Sequence, residues 1–388
     1  MRHNNRRVYL DYAATTPVDL RVADAMSRCL TSDSLFGNPS SHLYSYGQEA
    51  SQAVEGARRE VSELVGCRVS NVVFTSGATE ADNAAIKGIA SSNHIPGRHL
   101  VTMASEHKAV LMSCKNLERS GWRISYLRPD LEGRLRVDEL RAALTSDTAL
   151  VSVMHVNNET GVIQDLQRIS EVVHQTEALL HVDAAQSVGK IPVSLESLDV
   201  DLLSVSAHKF YGPKGVGVLV VGDRAREMLV PQIDGGGQES GFRSGTLATH
   251  QIIGLGEASR IARAEMKPDL ERIADLRCRF IDRVAAKTGA ILNSGGTTTY
   301  PGILNISFPH VDAFVLLNAL ADVAASAASA CTTGTLEPSH VLRSMGIEGD
   351  RLYGAVRFSF GRFTTQEHID FACCRLTEEI RRLRDLAA

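Results

Sequence analysis

The sequence predicts an α/β protein: a large domain on a mostly parallel seven-stranded sheet, followed by a smaller α+β domain. Three observations carry this. Short apolar runs rich in Val, Leu and Ile alternate with segments of helical period over the first two-thirds of the chain. The runs are apolar on both faces, as strands between two helical layers must be. The alternation then stops near Gly254 and gives way to a long polar helical stretch.

In order, the strand candidates are 71–75, 100–103, 123–127, 149–154, 178–182, 201–205 and 217–221. Helix-period segments at 106–120, 137–144 and 166–177 lie between several of them, the pattern of parallel strands joined by crossovers. After Gly254 the sequence predicts a helix over 255–287, strands at 303–308 and 356–360, and a charged final helix. The expected domains are 16–258 and 259–388, with residues 1–15 packing on the second. No repeat and no long linker interrupts them.

Composition narrows the function. The 41 Lys+Arg and 45 Asp+Glu give a net charge of −4, which argues against a coat for nucleic acid or anionic membrane. No window approaches the roughly 18 apolar residues of a membrane span. The N-terminus has no apolar core of the kind a secretory signal carries. Seven cysteines (29, 67, 114, 278, 331, 373 and 374) are scattered and form no CxxC pair, as in a reducing compartment. A cytoplasmic location is expected. Residues 324–335 are twelve small, uncharged residues around Cys331, a composition open to a packed helix or a loop.

Polar residues that follow buried strands sit where α/β proteins bind ligands. The strand before Ser206-Ala-His-Lys209 delivers Ser206, His208 and Lys209, and a partly desolvated lysine there is suited to a Schiff base. The strand 178–182 delivers Asp183 and Gln186, with Asp183 placed to pair with a protonated pyridine nitrogen. His181 and Asp183 as metal ligands are the rival reading, though no third ligand is spaced to join them. Phe74-Thr-Ser-Gly-Ala-Thr-Glu80 is a strand, a glycine turn and then a helix start at Thr79, where free N–H groups suit a phosphate. Neither GxxxxGK[ST] nor GxGxxG is present there. His107 stands at the next strand-to-helix turn, able to stack on a flat ring and exchange protons.

In that chain order the parts resemble the fold-type I pyridoxal-phosphate enzymes of the class V aminotransferase group, and within it the cysteine desulfurases of iron–sulfur cluster assembly. The likeness runs through Tyr9-Leu-Asp-Tyr-Ala-Ala-Thr-Thr-Pro17, Glu106-His-Lys-Ala-Val110, Gln186-Ser-Val-Gly-Lys190, His208-Lys-Phe-Tyr-Gly-Pro-Lys-Gly215, Ser329-Ala-Cys-Thr332 and Arg357-Phe-Ser359. It implies pyridoxal 5'-phosphate carried on Lys209, Asp183 at the pyridine nitrogen, Gln186 at the ring hydroxyl and His107 on the ring. Ala78, Thr79, Ser206 and His208 would hold the phosphate, with Thr246 reaching in from the second subunit of a homodimer. Asn38, Asn158 and Arg357 would hold the carboxylate of L-cysteine.

The same likeness makes Cys331 the thiolate that takes the substrate sulfur as a persulfide and passes it to a sulfur-acceptor protein. Alanine is the other product. The acceptor pathway, whether cluster assembly, a thio-cofactor, tRNA or DNA modification, stays open, as does a selenocysteine lyase built from the same parts. No resident metal, nucleic acid or membrane is implied; at most Cys331 ligates an iron–sulfur cluster in passing. Three departures bear on the acceptor. Ser326-Ala-Ala-Ser-Ala-Cys331 lacks a glycine that relatives often carry, Asp234 stands where some have His, and the chain stops at Ala388 where others extend.

Overall fold

The computed structural model describes residues 7–33, 35–95, 97–294, 298–327 and 338–387. Its first strand, β1 (Val8–Tyr9), belongs to the C-terminal core. The next seven are β2 (Val72–Thr75), β3 (His99–Met103), β4 (Arg123–Leu127), β5 (Thr148–Met154), β6 (Leu179–Asp183), β7 (Leu202–Ser206) and β8 (Gly217–Val221). They form one sheet in the order β2-β8-β7-β6-β5-β3-β4. Strands β3 to β7 pair in parallel, whereas β8 runs antiparallel to both β7 and β2. All strands except β8 therefore point one way and end on one edge. Each expected strand is found within a residue of its predicted limits.

The apolar character of both strand faces has a direct cause. Leu180, Val182, Leu203 and Val205 pack with helices Ser45–Leu64 and Leu166–Val173 and with the start of helix Thr249–Thr288. Their sequence neighbours Leu179 and Leu202 pack instead with helices Ala78–Ala90 and Lys108–Arg119. Period two sends alternate residues to opposite layers, each such Leu or Val contributing about 1.5–3 kcal/mol on burial.

Two helices differ from expectation. The one expected over 166–177 ends at Val173, because the Thr176 hydroxyl and N–H both take the Val173 carbonyl and turn the chain. The one expected over 255–287 begins at Thr249 and runs unbroken to Thr288, across the expected boundary at 258/259. Its Ile252, Leu255, Ala258 and Ile261 lie in the large core, and its Ile273, Leu276, Phe280 and Val284 in the small one. Pro268 stands between the two sets.

The small core is closed by β9 (Ile291–Leu292), β10 (Ile303–Ser307), β11 (Val323–Ala324), β12 (Ser326–Ala327) and β13 (Ala355–Ser359). Four of these form an antiparallel sheet in the order β12-β13-β10-β9, while β1 pairs in parallel with β11. Phe280 packs on Phe358 and Phe360 with ring centroids 4.9 and 5.5 Å apart, and Val8 and Leu10 join that core. The small-residue run thus opens in strands β11 and β12. Residues 328–337, with Cys331, lie outside the described residues. Among the described residues, no helix is long and apolar enough to cross a membrane.

Candidate active site

The sheet register assembles the site. Gly217, the first residue of β8, pairs with Thr75 on one side and with Ser206 on the other. A Cβ on Gly217 would lie 2.6 Å from the Gly77 Cα, so only a hydrogen lets the turn after β2 close against it. Gly77 itself has φ +149° and precedes helix Ala78–Ala90. The helix's first N–H groups have no intrahelical acceptor, and its dipole adds positive potential. Ala78, Thr79, Ser206 and His208 all line one cavity of about 490 Å³.

The polar residues at the strand ends line the same cavity. Asp183 closes β6, buried, with its Oδ1 accepting from the Ala185 N–H at 2.9 Å. Burial raises its pKa, and the charges of His107 and Lys209 oppose that rise. His107 caps helix Lys108–Arg119, its Nδ1 accepting from the Ala109 N–H at 3.2 Å, so the neutral ring carries its proton on Nε2. Burial lowers the His107 pKa. His208 is pushed down to about 4, by burial first and then by Lys209, and its Nδ1 lies 3.0 Å from the Thr15 hydroxyl.

Lys209 ends the short 3-10 turn after β7 and donates to the Ala13 and Ala14 carbonyls, both at 2.8 Å. Gln186 is buried beside it and donates from Nε2 to the same Ala13 carbonyl at 2.8 Å. Arg357, on β13 and 3% exposed, is gripped from several sides. Its Nη1 donates to the Asn158 carbonyl at 2.8 Å, and its Nη2 to Asp11 Oδ1 at 2.8 Å and to the Ser326 hydroxyl at 3.2 Å. Its Nε–H is buried without a partner among the described residues. Asn158, Arg357, Gln186 and Lys209 all line the cavity.

Two expected residues stand apart. Asn38 and Thr246 are exposed and outside this cavity. Their neighbours Pro39, Ser40 and Leu247 line a separate cleft of about 750 Å³. The rival metal pair is not assembled either. The His181 ring nitrogens lie 2.8 and 2.9 Å from the hydroxyls of Ser152 and Ser204, and burial holds its pKa near 3.

Sequence reasoning missed several buried polar groups around the cavity. Asp82 is 1% exposed, finds no hydrogen bond for either oxygen among the described residues, and lies 3.6 Å from His181. A legible signal existed: Asp82 falls on the helix face that buries Ala81, Ala85, Ile86 and Ile89. Asp11 and Lys190 were read only as parts of motifs; the structure places them against Arg357 and Gln186.

A family model described as aminotransferase class-V matches residues 8–371. The chain belongs to the class-V aminotransferases. Among curated relatives of this class-V chain, cysteine desulfurase IscS of Aeromonas hydrophila is 50% identical over 380 residues, covering 98% of this chain and 94% of the relative. A solved NifS-like protein is 36% identical with TM-score 0.90, covering 97% and 99% of the two chains. A structure described as SspA in complex with cysteine is 34% identical with TM-score 0.82, covering 92% and 100%. Within the class-V group, the chain therefore stands with the cysteine desulfurases.

Proposed function

We infer that this class-V enzyme is a pyridoxal-phosphate-dependent cysteine desulfurase that converts L-cysteine to L-alanine. One observation carries the site assignment: a primary amine, a buried carboxylate, a capped imidazole and a helix N-terminus converge on one cavity. That donor set fits the cofactor. Ala78, Thr79, Ser206 and His208 would take its phosphate, Asp183 its ring nitrogen, His107 a ring face, Gln186 the ring oxygen and Lys209 the aldehyde carbon. Bound there, pyridoxal phosphate supplies an electron sink for the pair left when the substrate Cα loses its proton.

This chain's own residues do the rest. Arg357 and Asn158, both lining the cavity, hold the substrate carboxylate. Lys209, once free, is the amine placed to carry the Cα proton. The Cys331 thiolate attacks the substrate sulfur. An S–S bond forms as the C–S bond breaks, its electron pair stays with the carbon fragment, and a proton added at Cβ with the return of one to Cα completes alanine. Three of the other six cysteines are poorly suited to be the nucleophile. Cys67, Cys114 and Cys373 have their thiols pushed up to about 12 by burial, far from the thiolate form.

The persulfide sulfur goes to an acceptor protein that serves iron–sulfur cluster assembly or the sulfur modification of a thio-cofactor, tRNA or DNA. A homodimer is supported by Thr246, which lies exposed outside its own protomer's cavity, as a residue reaching a second subunit's phosphate would; Asn38, also outside, is left with no role at the carboxylate within one protomer. The test is direct. With L-cysteine and a reductant the protein should form alanine and sulfide in equal amounts, and Cys331→Ser should lose sulfide while keeping the bound cofactor's colour. Sulfide release that survives Cys331→Ser would sink the persulfide route.

A further inference from the structure

Lys190 is a lysine in the wrong place for a solvated charge. It follows the turn after β6, is 9% exposed, and sits 5.6 Å from the centre of the buried Tyr300 ring. It lies behind Gln186, outside the cavity lining. Its Nζ donates to Gln186 Oε1 at 2.5 Å, while Gln186 Nε2 donates to the Ala13 carbonyl that also accepts from Lys209. Lys190, Gln186, Ala13 and Lys209 are thus joined in one line of hydrogen bonds. Burial first, and then the nearby charges of Lys209 and Arg357, drive the Lys190 pKa well down.

The amide orientation follows from donor and acceptor chemistry. A carbonyl can only accept, so Ala13 fixes Nε2 at one end of the Gln186 amide. A lysine Nζ carries hydrogens in either protonation state, so it can hold Oε1 at the other end. What remains for a ligand is the second Nε2–H of Gln186, a donor. Without Lys190, Oε1 becomes a buried acceptor with nothing to accept, and Ala13 alone holds the amide, by one end. An amide held by one end can swing its second N–H away from where the cofactor's ring oxygen belongs.

We propose that Lys190 is a positioning residue which acts through Gln186, holding its amide so that a donor meets the ring oxygen of the bound cofactor. This rests on Gln186 being the ring-oxygen contact, and the test separates the two. Purified apo-protein is titrated with pyridoxal 5'-phosphate for its dissociation constant, and the loaded protein is titrated with pH for the midpoint of its absorption change. Wild type, Lys190→Met, Gln186→Ala and the double variant are compared, with apo thermal unfolding as the fold control.

Lys190→Met should weaken cofactor binding roughly tenfold and raise the midpoint, because the ring-oxygen anion loses its donor. The double variant should be no worse than Gln186→Ala alone, the signature of two residues acting as one unit. Lys190→Gln keeps a donor and should recover most of the affinity, and Lys190→Leu, which also removes the donor, serves the same cycle if Lys190→Met does not fold. Losses that multiply in the double variant, or no effect of either Lys190 variant beside an impaired Gln186→Ala, overturn the role of Lys190 alone. A silent Gln186→Ala overturns the ring-oxygen assignment, and this proposal with it.

Discussion

Replacing Arg357 with lysine keeps a cation at its place on β13 but removes the planar fork. The guanidinium makes three hydrogen bonds at once, to the Asn158 carbonyl, Asp11 and the Ser326 hydroxyl, and still has a buried Nε–H to offer. An ammonium on a shorter stem cannot span these partners and also grip a carboxylate with two parallel bonds. Losing one charge-assisted hydrogen bond to the substrate costs about 1.5–3 kcal/mol, or roughly ten- to a hundredfold in kcat/KM. The loss should fall on binding. L-Alanine, followed through the change it makes in the cofactor's absorption, should bind correspondingly more weakly to Arg357→Lys, whereas ethylamine, which lacks the carboxylate, should be little affected. Cofactor affinity should stay near wild type, since Arg357 is assigned no contact with the cofactor. Equal weakening of both amines, or unchanged binding of both, would refute the carboxylate assignment.

Three further outcomes are expected. The pKa of His174 is raised by hydrogen bonds to Asp201 first and then Asp199, against the opposing effect of burial. Its stabilisation is fully present below the ordinary histidine value of 6.5 and is lost as pH rises through the raised folded value. Urea midpoints measured across that window should fall with pH in wild type more than in His174→Gln; parallel curves would dismiss the idea. Glu239→Gln leaves the Arg58 guanidinium with only the more exposed Glu55 as counter-ion and disturbs the bond from the Phe74 N–H, so urea unfolding should show a loss of about 1.5–3 kcal/mol. Gly77→Ala forces a side chain onto a backbone with φ +149°, at the helix start assigned to the phosphate. Cofactor dissociation constants should rise at least tenfold, and an unchanged value would place the phosphate elsewhere.

The parts of the site were more legible in the sequence than its supports. Asp183 ends a strand, and Lys209, His107 and Thr79 stand in the turn or helix start that follows one, so a local pattern of apolar run, polar residue and turn was enough to single them out. Asp82 was hidden because a carboxylate inside a helix reads as a solvated face until the helix is rotated onto the sheet. Asp11 and Lys190 were hidden because their partners, Arg357 and Gln186, are identified by contact alone; the first pair is separated by 346 residues. Thr246 and Asn38 show the reverse, residues expected at the cavity that one protomer leaves outside it.

Strand positions, the α/β class and the family membership were determined by the sequence by itself, because hydrophobic period and turn chemistry act over a few residues at a time. The tertiary structure decided which strand ends became neighbours. It put Gly77 beside Ser206 through the register of β8, and brought the Ala13–Ala14 carbonyls to Lys209 across the chain. Strand order and register are properties of the packed sheet, settled by which faces bury together and how closely the backbones approach. No short window of sequence carries that information, and the chemistry of the site depends on it.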